Sequence, residues 1–193
     1  MLDALREKIV KDFTQFWAVN DEAHQVRHFT NVEVCGNAIN DRLGLGFDPK
    51  LIMLVAHFHD MFAWSRHNHH QMSARWVDTT DYPPIADLTL EEKMRVYWGC
   101  LQHRASFKGD FKSKFSELMN AADRELPGDV EGMVERAVLY RMARGMSREE
   151  AYAPAVQHVK EKFAEGGYAR YPALYHTAFG DVLAKQRLDI KNL

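Results

Sequence analysis

Apolar side chains recur along this chain at the three- and four-residue intervals of an α-helix. Leu2, Leu5, Ile9, Phe13, Phe16 and Trp17 form the first stripe and predict an amphipathic helix. A second stripe, with Val26, Phe29, Val32, Ala38 and Ile39, predicts a helix from Asp21 as N-cap to about Leu43, ended by Gly44 and Gly46. Asp48-Pro49 then reads as an N-cap followed by proline in the first turn. The helix it opens, Leu51 to about Trp64, is apolar almost all round and should lie buried at the centre.

The pattern continues as helix after helix. A shorter one is expected over His69 to Val77, followed by a loop through Pro83-Pro84. Thr89-Leu-Glu-Glu92 and Ser147-Arg-Glu-Glu150 have the form of capping boxes, in which the first side chain and the fourth satisfy each other's backbone donors. They open helices to about Phe107 and about Ala164. Lys112 to Leu126 and Val130 to Arg144 are helical between them, Pro127-Gly128 and Gly166-Gly167 are breaks, and a last helix follows Pro172. No strand, repeat or low-complexity segment interrupts the series, so the expected fold class is all-α.

Composition narrows the picture further. A chain of 193 residues with 46% apolar residues can bury a core without covalent staples. Its net charge of −2 gives no strong nucleic-acid signal. Cys35 and Cys100 sit in apolar helical contexts and read as reduced core thiols. The charged, amphipathic N-terminus is unlike a signal peptide, and no apolar run reaches membrane-span length, so the expected location is cytoplasmic and no membrane partner is expected.

The histidines change the picture most. Seven of the ten fall between His24 and His70, among acidic residues, which points to metal binding. His59-Asp60 ends the buried run Leu54-Val-Ala-His-Phe-His-Asp60, where a carboxylate is costly unless paired or bound to a metal. His28 stands upstream, in His24-Gln-Val-Arg-His28-Phe-Thr-Asn-Val32. His69 stands downstream in His69-His-Gln-Met-Ser-Ala74, then His103 in Leu101-Gln-His-Arg104, and Asp123 in Ala122-Asp-Arg124.

This ordered series, over about residues 21 to 126, resembles the HD superfamily of metal-dependent phosphohydrolases. The resemblance implies an HD-domain helical bundle over residues 1–127, with 128–193 as a C-terminal helical extension packed on the same domain. It implies that His28, His59, Asp60 and Asp123 hold one divalent transition metal. His69 and His103 would complete a second site, with Asp60 shared between the two. The ion or ions would be Fe, Mn, Co, Ni or Zn. The implied reaction is hydrolysis of a phosphate ester or anhydride, in a nucleotide or related small molecule, by a metal-bound hydroxide. Two departures stand out. Ala63 occupies the position where the nucleotide monophosphatase branch carries Glu, and Phe62-Ala63-Trp64 replaces the Lys or Gly-Lys often found after His-Asp.

Charge stabilisation needs nearby donors. Asp60, Arg66 and His67 are the catalytic candidates, and His24, Arg104, Lys108 and Lys112 the substrate-binding ones. A solvated basic face is the competing account of Lys108, Lys112 and Lys114, and a surface histidine that of His67. Arg124 is expected to pair with a carboxylate, His57 to be a packed core histidine, and His158 and His176 to be structural. His70 competes with His69 as a ligand. The aromatic stripe Tyr168, Tyr171, Tyr175 and Phe179 reads as core or as a homodimer contact. Two other functions share these residues: a di-iron oxygenase of the same superfamily, and a non-catalytic nucleotide-binding module.

Overall fold

A computed structural model describes residues 2–21 and 24–193. The described residues are all-helical, with ten helices and no strand. They are α1 (Leu2–Trp17), α2 (Val26–Arg42), α3 (Pro49–Phe58), α4 (His69–Thr79), α5 (Pro83–Ala86), α6 (Leu90–Gln102), α7 (Lys114–Ala122), α8 (Val130–Met142), α9 (Arg148–Phe163) and α10 (Ala173–Lys191). The α10 segment is broken at Phe179, whose φ of −127° and ψ of 18° are not helical.

The chain divides into two compact units. The first comprises Met1–Leu126 and Pro172–Ala178, the second Pro127–Tyr171 and Phe179–Leu193. The first unit thus takes in a stretch, 172–178, that the sequence groups with the C-terminal extension.

In the first unit α3 is the axis. Every residue from Leu51 to Phe58 is buried, as its all-round apolar sequence requires, and α2, α6, α1 and α7 pack about it. Two glycines permit the closest approaches. A Cβ on Gly36 of α2 would lie 2.7 Å from Ile52 Cγ2, and one on Gly99 of α6 would lie 2.8 Å from Val55 Cγ2. The Phe13 ring meets Phe58, Trp76 and Tyr82 edge-on at 5.0–5.6 Å, tying α1 and α4 to α3. Arg6 grips buried Glu33 through two hydrogen bonds of 2.6 and 2.9 Å and links α1 to α2. Cys35 and Cys100 are buried and unbridged. The second unit has its own core, in which Val134 and Val138 of α8 meet Ala151, Ala155 and Val159 of α9, with Ile190 of α10.

Element starts match the sequence reading closely. Asp48 accepts from the Lys50 amide, and both expected capping boxes are formed, at Thr89 and Ser147. The start of α2 and several ends differ. Asp21 is not the cap of α2: the helix starts at Val26 with Gln25 before it, and Asp21 instead engages His24 and Arg66. The helix expected to run to Trp64 stops at Phe58, and the one expected to reach Phe107 stops at Gln102. The Pro83-Pro84 loop contains the short helix α5. Among the described residues no helix is long and apolar enough to cross a membrane.

Candidate metal centre

Two asparagines account for the early helix ends, and they also position the candidate ligands. Asn20 is buried; its Nδ2 donates to the carbonyls of Asp60 (3.1 Å) and His24 (3.2 Å), and its Oδ1 accepts from the Trp64 amide (3.1 Å). The backbone after Phe58 is thereby drawn into tight turns. Asn120 donates to the carbonyls of Gln102 (2.7 Å) and Arg104 (2.8 Å), capping the last turn of α6.

As a result His59, His103 and Asp123 each sit at the C-cap of a helix, α3, α6 and α7 respectively. His28 is in the first turn of α2 and His69 opens α4. Three helix C-termini, each carrying partial negative charge, converge where these side chains meet. A carboxylate there is in an unfavourable field, and a cation is in a favourable one.

The donor atoms form two groups, each of which could hold a metal ion. In the first, His59 Nε2 lies 3.3 Å from His28 Nε2, 3.3 Å from Asp60 Oδ2 and 3.5 Å from Asp123 Oδ1, with His28 Nε2 3.4 Å from Asp123 Oδ1. In the second, Asp60 Oδ1, His69 Nε2 and His103 Nε2 are mutually 3.2 Å apart. Donors about 2.1 Å from one ion stand about 3.0–3.4 Å from one another, close to these spacings. Asp60 belongs to both groups, one oxygen to each.

Hydrogen bonding settles which nitrogen faces inward. His59 Nδ1 is paired with the Ala56 carbonyl (2.9 Å), His103 Nδ1 with that of Cys100 (2.7 Å) and His69 Nδ1 with that of Arg66 (3.2 Å). His28 Nδ1 meets Glu125 Oε1 at 2.8 Å. A carbonyl can only accept, so Nδ1 carries a proton on at least three of these rings, and on a neutral ring Nε2 presents a lone pair. Lone pairs facing each other at 3.2 and 3.3 Å repel unless a proton or a cation lies between them. Asp60 Oδ1, buried, accepts no hydrogen bond among the described residues. Four imidazoles and two carboxylates make up donor groups that could hold a metal ion.

The electrostatics agree. Burial disfavours a charged His59, but the carboxylates of Asp60 and Asp123 outweigh it and push its pKa up to about 10. His28 is raised in the same way, by Asp123 and Glu125 against burial. Asp60, buried but beside His59 and His103, and Asp123, buried but bonded to His28 and His59, are held well below the usual carboxylate range. Burial lowers His69 to about 4, so it stays neutral.

An open cleft of about 530 Å³ exposes this cluster, and His24, Arg66 and Arg104 line it along with Ala105 and Ser106. His24 Nε2 is 3.7 Å from Asp60 Oδ2. Arg66 is tethered to Asp21 and Arg104 to the His67 carbonyl. His67, Lys108 and Lys112 are exposed and do not line the cleft; Lys112 lies over the Trp98 ring. His70 meets His69 edge-on but offers no donor to either group, and His57 is buried with Nδ1 on the Met53 carbonyl. Arg124 pairs with Asp123.

Glu125, which the sequence reading passed over, is the one non-glycine residue with positive φ (57°) among those described. That turn aims its carboxylate at His28 and at the Asn31 amide (3.1 Å), while Tyr175 Oη donates to its carbonyl (2.8 Å). Against known proteins, no family model, curated sequence or solved structure matches this chain.

Proposed function

We propose that the protein is a metal-dependent phosphohydrolase of the HD type, acting on a phosphate ester or anhydride in a nucleotide or related small molecule. The observation that carries this reading is the Asp60 carboxylate, which places Oδ2 in one donor group with His28, His59 and Asp123 and Oδ1 in another with His69 and His103. One or two divalent ions held there would supply Lewis acidity, neutralising phosphoryl charge and making water more acidic.

The chain's own groups complete the chemistry. The Arg66 and Arg104 guanidiniums on the cleft rim keep unused N–H donors that can pair with phosphoryl oxygens. His24, its Nδ1 held by Asp21 and its Nε2 towards the cleft, replaces His67 as the imidazole placed to protonate a leaving oxygen.

The test is elemental analysis of the purified protein, followed by hydrolysis assays of the metal-loaded chain on nucleotides and phosphodiesters. The expected result is bound transition metal and phosphate or nucleoside release, reduced to background by Asp60→Ala. Full activity in Asp60→Ala would overturn the proposal. Two irons with O₂ consumption and no hydrolysis would replace it with the di-iron oxygenase.

A further inference from the structure

The second unit carries a groove of about 510 Å³ between α8 and α9. Its size falls within the range of small-molecule sites. Helical spacing builds it: Met133, Ala137 and Arg141 follow one another at four-residue intervals on α8, as do Arg136 and Tyr140, and His158, Val159, Lys162 and Phe163 face them from α9.

Charge sets this groove apart. None of its nine lining residues is acidic, while Arg136, Arg141 and Lys162 are cationic. Several cations elsewhere on the helices stand beside carboxylates: Lys8 with Asp12, Arg95 with Glu91, Lys114 with Glu117, Arg148 with Glu135, Lys185 with Asp189. The three groove cations have no carboxylate within 4.0 Å among the described residues. Arg141 is half-buried and fixed in place, Nη1 donating to the Ala137 carbonyl (2.9 Å) and Nη2 to that of Pro154 (3.0 Å). Holding a guanidinium rigid without a counter-ion prepares it for an anion brought from outside, and phosphate suits its fork of donors. The floor is apolar, with Met133, Ala137 and Val159 beneath and the Phe163 and Tyr140 rings at the sides. A bare inorganic anion would leave that floor unused.

We propose that this groove binds a nucleoside diphosphate, its phosphates on Arg136, Arg141 and Lys162 and its base over the apolar floor. The site is independent of the metal cluster and of the hydrolase reading.

Calorimetric titration of the full-length chain with ADP, in EDTA so that no metal contributes, tests it. ADP should bind, with adenosine and inorganic phosphate each binding more weakly. The double variant Arg136→Ala/Lys162→Ala should weaken ADP binding about tenfold or more. Asp60→Asn, in the metal cluster, should leave it within about twofold, since the two sites share no residue. Absence of ADP binding to the unaltered chain would overturn the proposal. So would binding that Asp60→Asn removes and the double variant keeps, or binding of an oligonucleotide where ADP does not bind.

Discussion

Glu125 shows how a single residue can shape a candidate metal site without belonging to either donor group. Its left-handed backbone costs about 1 kcal/mol or more for a residue with a Cβ. In return its carboxylate reaches His28 Nδ1 and raises the basicity of the opposite nitrogen. Glu125→Gln should lower metal affinity about 10- to 100-fold in competition with a chelator. Glu125→Gly should lower affinity to the same degree while relieving the backbone, so affinity and stability would move apart. Protonation gives a second prediction at this scale. The metal-free protein holds His59 with a pKa pushed from 6.5 to about 10. A raised pKa contributes stability that is fully present below pH 6.5 and lost as pH rises through about 10. Asp60 and Asp123, lowered, contribute stability present above the ordinary carboxylate pKa and lost as pH falls through their depressed values. Thermal melts of the metal-free chain should therefore soften towards both pH extremes, and bound metal should flatten the alkaline side. His28, His59, Asp60, His69, His103 and Asp123 were legible in the sequence because ligand chemistry restricts residue type and the series is ordered. Glu125 was not, since an acidic residue after Ala-Asp-Arg reads as surface until its φ is known.

Helix interiors were legible from periodicity, and helix starts from Asp48-Pro49 and the two Thr/Ser-x-x-Glu boxes, because a cap acts over three residues. The ends of α3 and α6 were not. Met61-Phe62-Ala63-Trp64 is a sound helical continuation locally, and what stops it is an amide 40 positions upstream; α6 is stopped by Asn120, 18 positions beyond Gln102. Tertiary hydrogen bonds override propensity in both places, and both places carry ligands. Asn20→Ala should cost about 1–3 kcal/mol through the buried Asp60 carbonyl and Trp64 amide left unpaired. It should also weaken metal binding, because it releases the turn holding Asp60. Denaturant melts and chelator competition on the same variant would show whether both effects appear. A loss of stability with metal affinity unchanged would make Asn20 a packing residue only.

At the scale of the whole chain, the metal cluster lies in the first unit and the cationic groove in the second. The all-α class followed from the unbroken helical pattern. The return of residues 172–178 to the first unit did not, because no composition shift announces it. Chelation should lower the melting temperature of the loaded protein. A ligand at a hundred times its dissociation constant stabilises by about 2.7 kcal/mol, which a calorimetric scan with and without EDTA can read. The six candidate ligands can also be viewed as a graph, with an edge wherever two donors belong to the same group. Asp60 is its single articulation node: removing any other vertex leaves one group whole, while removing Asp60 disconnects both. Metal counts should follow that topology. His69→Ala should retain the first ion and lose the second, Asp123→Ala the reverse, and Asp60→Ala should lose both. The same node would make two bound ions thermodynamically dependent, since each would bear on the carboxylate that the other needs.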